Sequence, residues 1–341
     1  MGIMTKKGLI VALFATVMCI TNAQEVEFKP SGKMEGRIYT DFSADIVGDG
    51  EDKAFELKRA YFGYRYQITP EWRAHVRVDV GGSEFIIEDV LNQYVFFKTA
   101  ALYYEKDHWF AAFGLHDTYQ FKVQENLWGK RYILPSMLDR QKFDFSADIG
   151  MSGQYRTDNF SIDVALFNGE GYKQLQDDDA FRGSIGVTGW FADRKLIARL
   201  YVDQSNANVH LGSYTGFIGL DLDKFTLGAE FTHQNNYIYT EGHNREAYSV
   251  FTQYNITPRV GLWARIDGMT SEFDFDNPLT EDDVEYIAKW RGKDGQDIFG
   301  GVEYVIVPKR INTSLNYQHH RSDEAEAVNS GKIFFNIEVR F

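Results

Sequence analysis

The amino-acid sequence predicts an all-β fold, a closed antiparallel β-barrel of about 16 strands that crosses a membrane. Three observations predict it. Apolar and polar residues alternate with a period of two through most of the chain, short and long connections follow each other in turn, and no apolar run beyond residue 23 is long enough for a spanning helix. Only helices and closed barrels satisfy every backbone hydrogen bond inside a bilayer, so a membrane chain without such helices crosses with strands.

The first 23 residues have the pattern of a secretory signal peptide. Two lysines precede an apolar run from Leu9 to Ile20, and a small-residue cleavage pattern ends at Ala23. This run is too short for a bilayer, which needs roughly 20 apolar residues. We therefore expect residues 1–23 to be removed and residues 24–341 to form a single barrel domain. The one cysteine of the chain, Cys19, would leave with the signal, so the mature chain would hold no disulfide.

Strand alternation is clearest in the segment WRAHVRVDV, from Trp72 to Val80. Tryptophan, alanine and valines occupy one set of alternate positions, and arginines, a histidine and an aspartate occupy the other. Successive side chains of a strand point to opposite faces, so the two sets separate. The same reasoning predicts sixteen strands, near 33–46, 54–67, 72–82, 93–105, 109–117, 146–156, 160–168, 182–191, 195–204, 213–221, 225–236, 246–256, 259–270, 296–306, 310–320 and 332–341.

The connections between these strands alternate in length. Three-residue turns such as TPE (69–71) and ADR (192–194) are followed by long polar segments, of which 118–145 and 271–295 are the longest. Short periplasmic turns and long external loops are typical of barrels in the bacterial outer membrane. We expect the third external loop, 118–145, to fold into the lumen. Aromatic residues near the short turns suit a girdle at the membrane interface: Trp72, Trp109, Phe191, Phe225 and Tyr254.

The final strand, KIFFNIEVRF, shows the expected orientation of the wall. Alternation places Ile333, Phe335 and Ile337 against lipid and Asn336 and Glu338 in the lumen. A terminal phenylalanine after alternating aromatic residues resembles the signal by which bacterial outer-membrane barrels are recognised for insertion. We expect this strand to pair with the first and close the barrel.

Charge and composition exclude several classes of function. The formal net charge is −13, and loss of two lysines with the signal makes it more negative, so nucleic acid is not an expected partner. His75 and Asp79 form the only lumen pair with a spacing that suits a hydrolase, and the neighbours His319 and His320 point to opposite faces of a strand. The acidic segment 272–283 lacks the glycine and spacing of an EF-hand. We expect no enzyme activity, metal or cofactor.

Two stretches resemble the phosphate-selective porin O and P family, in the form found in Bacteroidetes-type bacteria. Residues 55–81 read as a basic strand, a short turn and a Trp-containing strand ending in Asp-Val-Gly, and residues 114–156 contain LWGKR before SADIG. This resemblance implies a homotrimeric, water-filled channel in the outer membrane, surrounded by lipid, through which small anions such as phosphate or other small hydrophilic solutes diffuse passively. The acidic external loops depart from the family pattern.

Alternation and the resemblance together predict the residues that line the pore or bind solute: Arg37, Arg59, Arg65, Arg73, Arg77, Lys122, Lys130 and Arg131. Alternation also turns Arg156, Arg182, Arg199, Arg265 and Arg340 into the lumen. Four of the predicted pore-lining arginines lie on the hairpin of the second and third strands and would form a basic wall facing the 118–145 loop. The tight TPE turn of this hairpin should bring Arg59 close to Asp79 and Arg65 close to Arg73. Two interpretations stay open. The arginines either set ion preference through their field in a narrow lumen, or pair with neighbouring aspartates and only keep the lumen wet. The competing functional class is a barrel without a channel, an adhesin or a membrane-embedded hydrolase.

Overall fold

The structure, a computed structural model, describes residues 28–48, 52–82, 93–174, 176, 179–274, 281–291, 293–323 and 329–341. The predicted signal peptide lies outside these residues, as does part of the acidic 272–283 segment. Sixteen strands form one closed antiparallel barrel in which each strand pairs with its neighbours along the chain and the last pairs with the first. The predicted fold class is therefore confirmed.

All sixteen predicted strands are confirmed, and no strand end differs from its prediction by more than three residues. The strands are β1 Ser31–Val47, β2 Lys53–Gln67, β3 Trp72–Gly82, β4 Gln93–Lys106, β5 Trp109–His116, β6 Asp148–Arg156, β7 Phe160–Phe167, β8 Arg182–Phe191, β9 Leu196–Ser205, β10 Gly212–Asp221, β11 Phe225–Asn235, β12 His243–Asn255, β13 Val260–Phe273, β14 Gly295–Val307, β15 Ile311–Ser322 and β16 Ser330–Arg340. The helices are α1 Lys122–Trp128, α2 Met137–Arg140 and α3 Glu281–Arg291, with a 3₁₀ turn at Tyr237–Tyr239.

The two faces of the wall carry opposite chemistry. Leu200 is 71% exposed and Phe113 is 66% exposed on the outside, whereas Arg265 is 2% exposed and Thr232 is fully covered on the other face. A water-soluble protein would bury the apolar set, because burial of apolar surface is the main driving force of its folding. This wall presents the apolar set outward, as a bilayer requires.

The chain ends close the barrel as the sequence predicts. Strand β16 pairs with β1 in a register that places Arg340 opposite Arg37. Beyond the strand, the Phe341 N–H donates to the Gly36 carbonyl at 3.0 Å, and the Gly36 N–H donates to the Phe341 carbonyl at 2.9 Å. The Phe341 ring lies where a Cβ on Gly36 would be, so a larger residue at this position would require the ring to move. On β16, Phe335 is 44% exposed and Glu338 is 1% exposed, which confirms the predicted orientation.

One residue of the predicted aromatic girdle and one of the long connections have ordered contacts or structure of their own. Trp109 packs edge-on against Tyr155 with 4.9 Å between ring centroids, next to the turn that joins β4 and β5. The 271–295 connection, expected to be an irregular loop, contains the eleven-residue helix α3. In the described part of the chain, no helix is both long and apolar enough to span a bilayer.

Candidate functional site

The long connection between β5 and β6, residues 117–147, is largely buried or half-buried; we call it the β5–β6 segment. Helix α1 ends at Gly129, whose left-handed φ of 66° lets its N–H donate to the Glu125 carbonyl. Met137 and Leu138 are fully covered, and Trp128 and Phe143 are each 1% exposed. Because the apolar face of the wall points outward, the apolar core forms between this segment and the other face of the wall.

Trp128 is the centre of that core. Its ring centroid lies 5.3 Å from that of Phe251 on β12 and 5.6 Å from that of Trp263 on β13, both edge-on. The indole N–H donates to the Leu134 carbonyl at 2.8 Å, so its one polar atom is satisfied inside the core. This packing joins the segment to the β12–β13 part of the wall.

Arginines of the wall hold the segment by its main chain. Three buried guanidinium groups, on β9, β12 and β13, donate to backbone carbonyls of the segment. These bonds run from Arg199 Nη2 to Tyr119 O (2.9 Å), from Arg245 Nη1 to Gln141 O (3.0 Å) and from Arg265 Nη1 to Pro135 O (2.6 Å). Each guanidinium offers five N–H donors in a fixed plane, which suits it to bind several acceptors at once.

Ion pairs strengthen the same attachment. Arg140 of the segment pairs with Asp267 on β13 and Asp297 on β14, and Lys130 pairs with Glu303 on β14. These contacts and the arginine bonds all lie on β8 to β14, one side of the barrel. These strands therefore hold much of the segment, which also meets β3 and β4 through Asp117 and Ser146.

Arg182 on β8 holds two carboxylates at once. It lies 2.8 Å from Asp144 of the segment and 2.8 Å from Asp203 on β9. Burial raises the pKa of Asp144 to about 7 despite the attraction of Arg182, and the second carboxylate acts in the same direction. Asp144 and Asp203 therefore share the single guanidinium of Arg182.

The opposite side of the barrel keeps an open cavity of about 300 Å³. It is enclosed by β1 to β4, β16 and the near face of the β5–β6 segment, including the rings of Tyr39 and Tyr61. Its lining contains seven cationic and four carboxylate side chains, an excess of three cations. The cations are Arg37, Arg65, Arg77, Lys98, Lys122, Arg131 and Arg340, and the carboxylates are Glu35, Asp117, Glu125 and Glu338.

Five of the eight residues predicted to line the pore meet at this cavity: Arg37, Arg65, Arg77, Lys122 and Arg131. The other three, Arg59, Arg73 and Lys130, have other contacts. Arg59 forms a forked pair with Asp79, at 3.0 and 2.9 Å, and donates to the Tyr172 hydroxyl. Arg73 lies over the Tyr103 ring, 4.9 Å from its centroid.

The β2–β3 hairpin forms part of the predicted basic wall. The expected approach of Arg59 to Asp79 is present. The prediction that Arg65 and Arg73 face each other is wrong, because the register places Arg65 opposite His75 and Arg73 opposite Gln67. Arg65 pairs with Glu35 on β1 instead, because β1 flanks β2 on its other edge.

Asp117 links the wall to the segment at the cavity. Its carboxylate accepts from Lys122 at 2.7 Å and from Arg77 at 3.2 Å. Burial alone would raise the pKa of Asp117, but the charges of Lys122, Arg77 and Lys98 outweigh it and hold the pKa below its ordinary value. This carboxylate thus stays ionised and neutralises part of the cationic lining.

Lys98 is a lining residue that was not predicted, because a β-bulge changes the alternation there. Nor did the sequence indicate the partners of the inward arginines. Three of them, on β8, β9 and β13, hold the β5–β6 segment rather than face solute: Arg182, Arg199 and Arg265. Alternation predicts the face on which a side chain lies but not its partner.

The residues considered for other chemistry have structural partners. His75 Nε2 lies 2.9 Å from Glu35, and Asp79 is held by Arg59 and Tyr172, so His75 and Asp79 do not form a pair. His320 contacts Asp297 on one face of β15, and His319 contacts Tyr317 on the other. Among the residues that the structure describes, no group of three or more His, Cys, Asp and Glu side chains is placed to hold a metal ion.

Comparison with solved structures shows what this barrel is similar to. The outer membrane channel DcaP of Acinetobacter baumannii aligns over 94% of this chain and 100% of its own, with a TM-score of 0.63 and 12% identity. Salmonella typhi OmpF aligns over 91% and 97%, with a TM-score of 0.65 and 11% identity. OmpT of Vibrio cholerae aligns over 92% and 98%, with a TM-score of 0.62 and 11% identity. The fold is that of outer-membrane porins.

At these identities the likeness concerns the fold alone. No protein-family model matches the sequence, and no curated protein sequence matches it. The predicted membership of the phosphate-selective porin family therefore stays a prediction. The apolar outer surface, for example Leu200 and Ile218, fits the outer membrane as the location of such a fold.

Proposed function

We propose that this protein is an outer-membrane porin that admits small hydrophilic solutes by passive diffusion, with a preference for anions, and that it catalyses no reaction. One observation carries the proposal: the open cavity has seven cations and four carboxylates, although the whole chain has a net charge of −13. A cationic lining in an acidic protein is not explained by composition. Charged side chains around a narrow passage raise the local concentration of the opposite ion.

The β5–β6 segment would set the width of this passage. It is fastened to β8 to β14 by main-chain bonds such as Arg265 to Pro135, and its other face carries Lys122 and Arg131 toward the cavity. Solute would pass along the β1–β4 side, between the wall arginines and these two cations. The third external loop thus acts in this proposal as the constriction that the sequence predicts.

The resemblance to the phosphate-selective family extends the proposal to phosphate as a solute and to a homotrimer as the assembly. A trimer form of Vibrio cholerae OmpT has been solved, with a TM-score of 0.59 to this chain. The trimer is tested by the mass of the detergent-solubilised complex after subtraction of bound detergent. A single-chain mass would overturn the homotrimer and leave the channel proposal standing.

Two measurements test the channel itself. Liposomes containing the protein should swell in small sugars, and planar bilayers under a KCl gradient should give a reversal potential on the anion-selective side. Arg37→Gln should weaken this preference, because Arg37 lines the cavity and is exposed to it. Arg259→Gln, on an exposed turn between β12 and β13, is the matched control and should leave it unchanged.

The outcomes separate the alternatives. Absence of both swelling and current would exclude a channel and favour an adhesin or a membrane-embedded hydrolase. Current with cation preference, or the same reversal potential for Arg37→Gln and wild type, would exclude the cationic cavity as the basis of ion preference.

A further inference from the structure

A β-bulge in β4 turns an extra cation toward the cavity. In the β3–β4 register Arg77 is opposite Thr99 and Val78 is opposite Phe97, so Lys98 has no partner residue. A bulge inserts one residue and changes the direction of neighbouring side chains. Here Lys98 is 4% exposed and Thr99 is 1% exposed, so two successive residues point away from lipid.

The ammonium group of Lys98 is buried without a carboxylate. Its Nζ donates to the Ser146 hydroxyl and lies 4.1 Å from the centroid of the Tyr172 ring. Within the described residues, no carboxylate lies at ion-pair distance from Lys98. The nearby carboxylates Asp79, Asp117 and Glu125 pair with other cations instead. An ammonium group this deeply buried is costly unless it is paired with an anion or well hydrogen-bonded.

The neighbouring cations of the cavity differ from Lys98 in this respect. Arg77 and Lys122 share Asp117, and Arg131 pairs with Glu125. Arg37 has no carboxylate partner among the described residues either, but it is exposed and water can solvate it. Lys98 is therefore the cation of the lining whose charge lacks both a carboxylate and free access to water.

Lys98 and Ser146 both line the cavity, together with Arg77 and Arg131. An ammonium, a hydroxyl and two guanidinium groups supply the donors that bind oxyanions most strongly, because hydrogen bonds between charged partners exceed neutral ones. We propose that Lys98 and Ser146 form a transient binding site for a small oxyanion, a carboxylate or a phosphate, on its way through the pore. The site rests on the proposed channel function, and its binding must be weak enough for release.

The barrel offers a matched control for this site. Lys58 on β2 is also a bulged lysine, since Tyr39 is opposite Arg59 and Thr40 is opposite Leu57. It differs from Lys98 in its partners, because Lys58 lies 3.7 Å from Asp41 and also pairs with Glu56. Loss of a neutralised lysine should not affect oxyanion binding.

The test is block of chloride current through single channels by inorganic phosphate and, separately, by acetate. Lys98→Gln should raise the half-blocking concentration about 10- to 100-fold, as expected for loss of a hydrogen bond to a charged group. Lys98→Arg and Lys58→Gln should stay close to wild type. Ser146→Ala should raise the half-blocking concentration while retaining the lysine, and so tests the site even if Lys98→Gln does not fold.

Each outcome has a definite meaning. The site is supported if phosphate, acetate or both block the current and if Lys98→Gln or Ser146→Ala weakens that block. The anion that blocks identifies the solute class. Chloride current without block, or block that both variants leave unchanged, overturns the site but not the channel. Absence of any current overturns the channel function instead.

Discussion

Removal of the Trp128 side chain should release the β5–β6 segment from the wall. Trp128 is 1% exposed and packs between Phe251 and Trp263. Truncation of a buried tryptophan to alanine costs about 3–5 kcal/mol. When the segment is released from the wall the indole is in water, so truncation hardly changes the free energy of that state. Most of the loss therefore destabilises the state in which the segment is packed on the wall. At 1.4 kcal/mol per factor of ten, Trp128→Ala should raise the detached population roughly 150- to 4,000-fold.

Single-channel recording and proteolysis both report on this change. Trp128→Ala should give larger and more variable single-channel currents than wild type, and trypsin should cut its segment at Lys130 or Arg131 faster. Trp109→Ala is the matched control, because Trp109 is 61% exposed on the outer face and its ring packs against Tyr155 of the neighbouring strand. A folded Trp128→Ala protein with steady wild-type currents and the same resistance to trypsin would refute the reasoning that this packing holds the constriction.

Three further changes test the wall, the shared guanidinium and the ion pairs. Leu200→Arg puts a charge in the middle of a lipid-facing strand and should destabilise the barrel by about 2–4 kcal/mol in urea titrations with lipid vesicles, and an unchanged midpoint would contradict the outward assignment. Burial raises the folded pKa of Asp144 to about 7, so the contribution of this group to stability is fully present below the ordinary carboxyl pKa and is lost as pH rises toward 7. The difference in urea stability between wild type and Asp144→Asn should therefore change across that pH range, and a constant difference would contradict the raised pKa. Removing Lys130 alone leaves the half-buried Glu303 without its cation but still accepting from the Tyr132 hydroxyl, so it should cost less than the about 3–5 kcal/mol of a fully buried pair. Replacing both with methionine should cost less still, and a double-mutant cycle without coupling would show that the pair is not formed.

The sequence was sufficient for the wall because one periodicity determines it. Every strand must present apolar side chains to lipid, so alternation in segments such as Trp72 to Val80 predicts strand, face and neighbour together. The long connections obey no such rule. Helix α3 lies in a connection that sequence analysis treated as loop, and its stability depends on packing that no local pattern encodes.

The candidate site was predictable only in part for the same reason. Arg77 and Lys122 were expected at the pore, and both line the cavity, because the position of each follows from alternation or from its place in the third loop. Lys98 was missed because a bulge shifts the face of every residue beyond it, and bulges leave a weak trace in sequence. Arg199 was predicted to point inward, but its bond to the Tyr119 carbonyl depends on where a distant segment lies.

The bonds that hold the β5–β6 segment bear on how the proposed channel can change during evolution. Arg199, Arg245 and Arg265 grip peptide oxygens, which every amino acid possesses. Substitutions of side chains on the solvent-facing half of the segment would therefore leave these bonds between the wall and the segment intact. In the proposed channel, a few substitutions on that half could therefore change which solutes pass while the bonds to the wall stay the same.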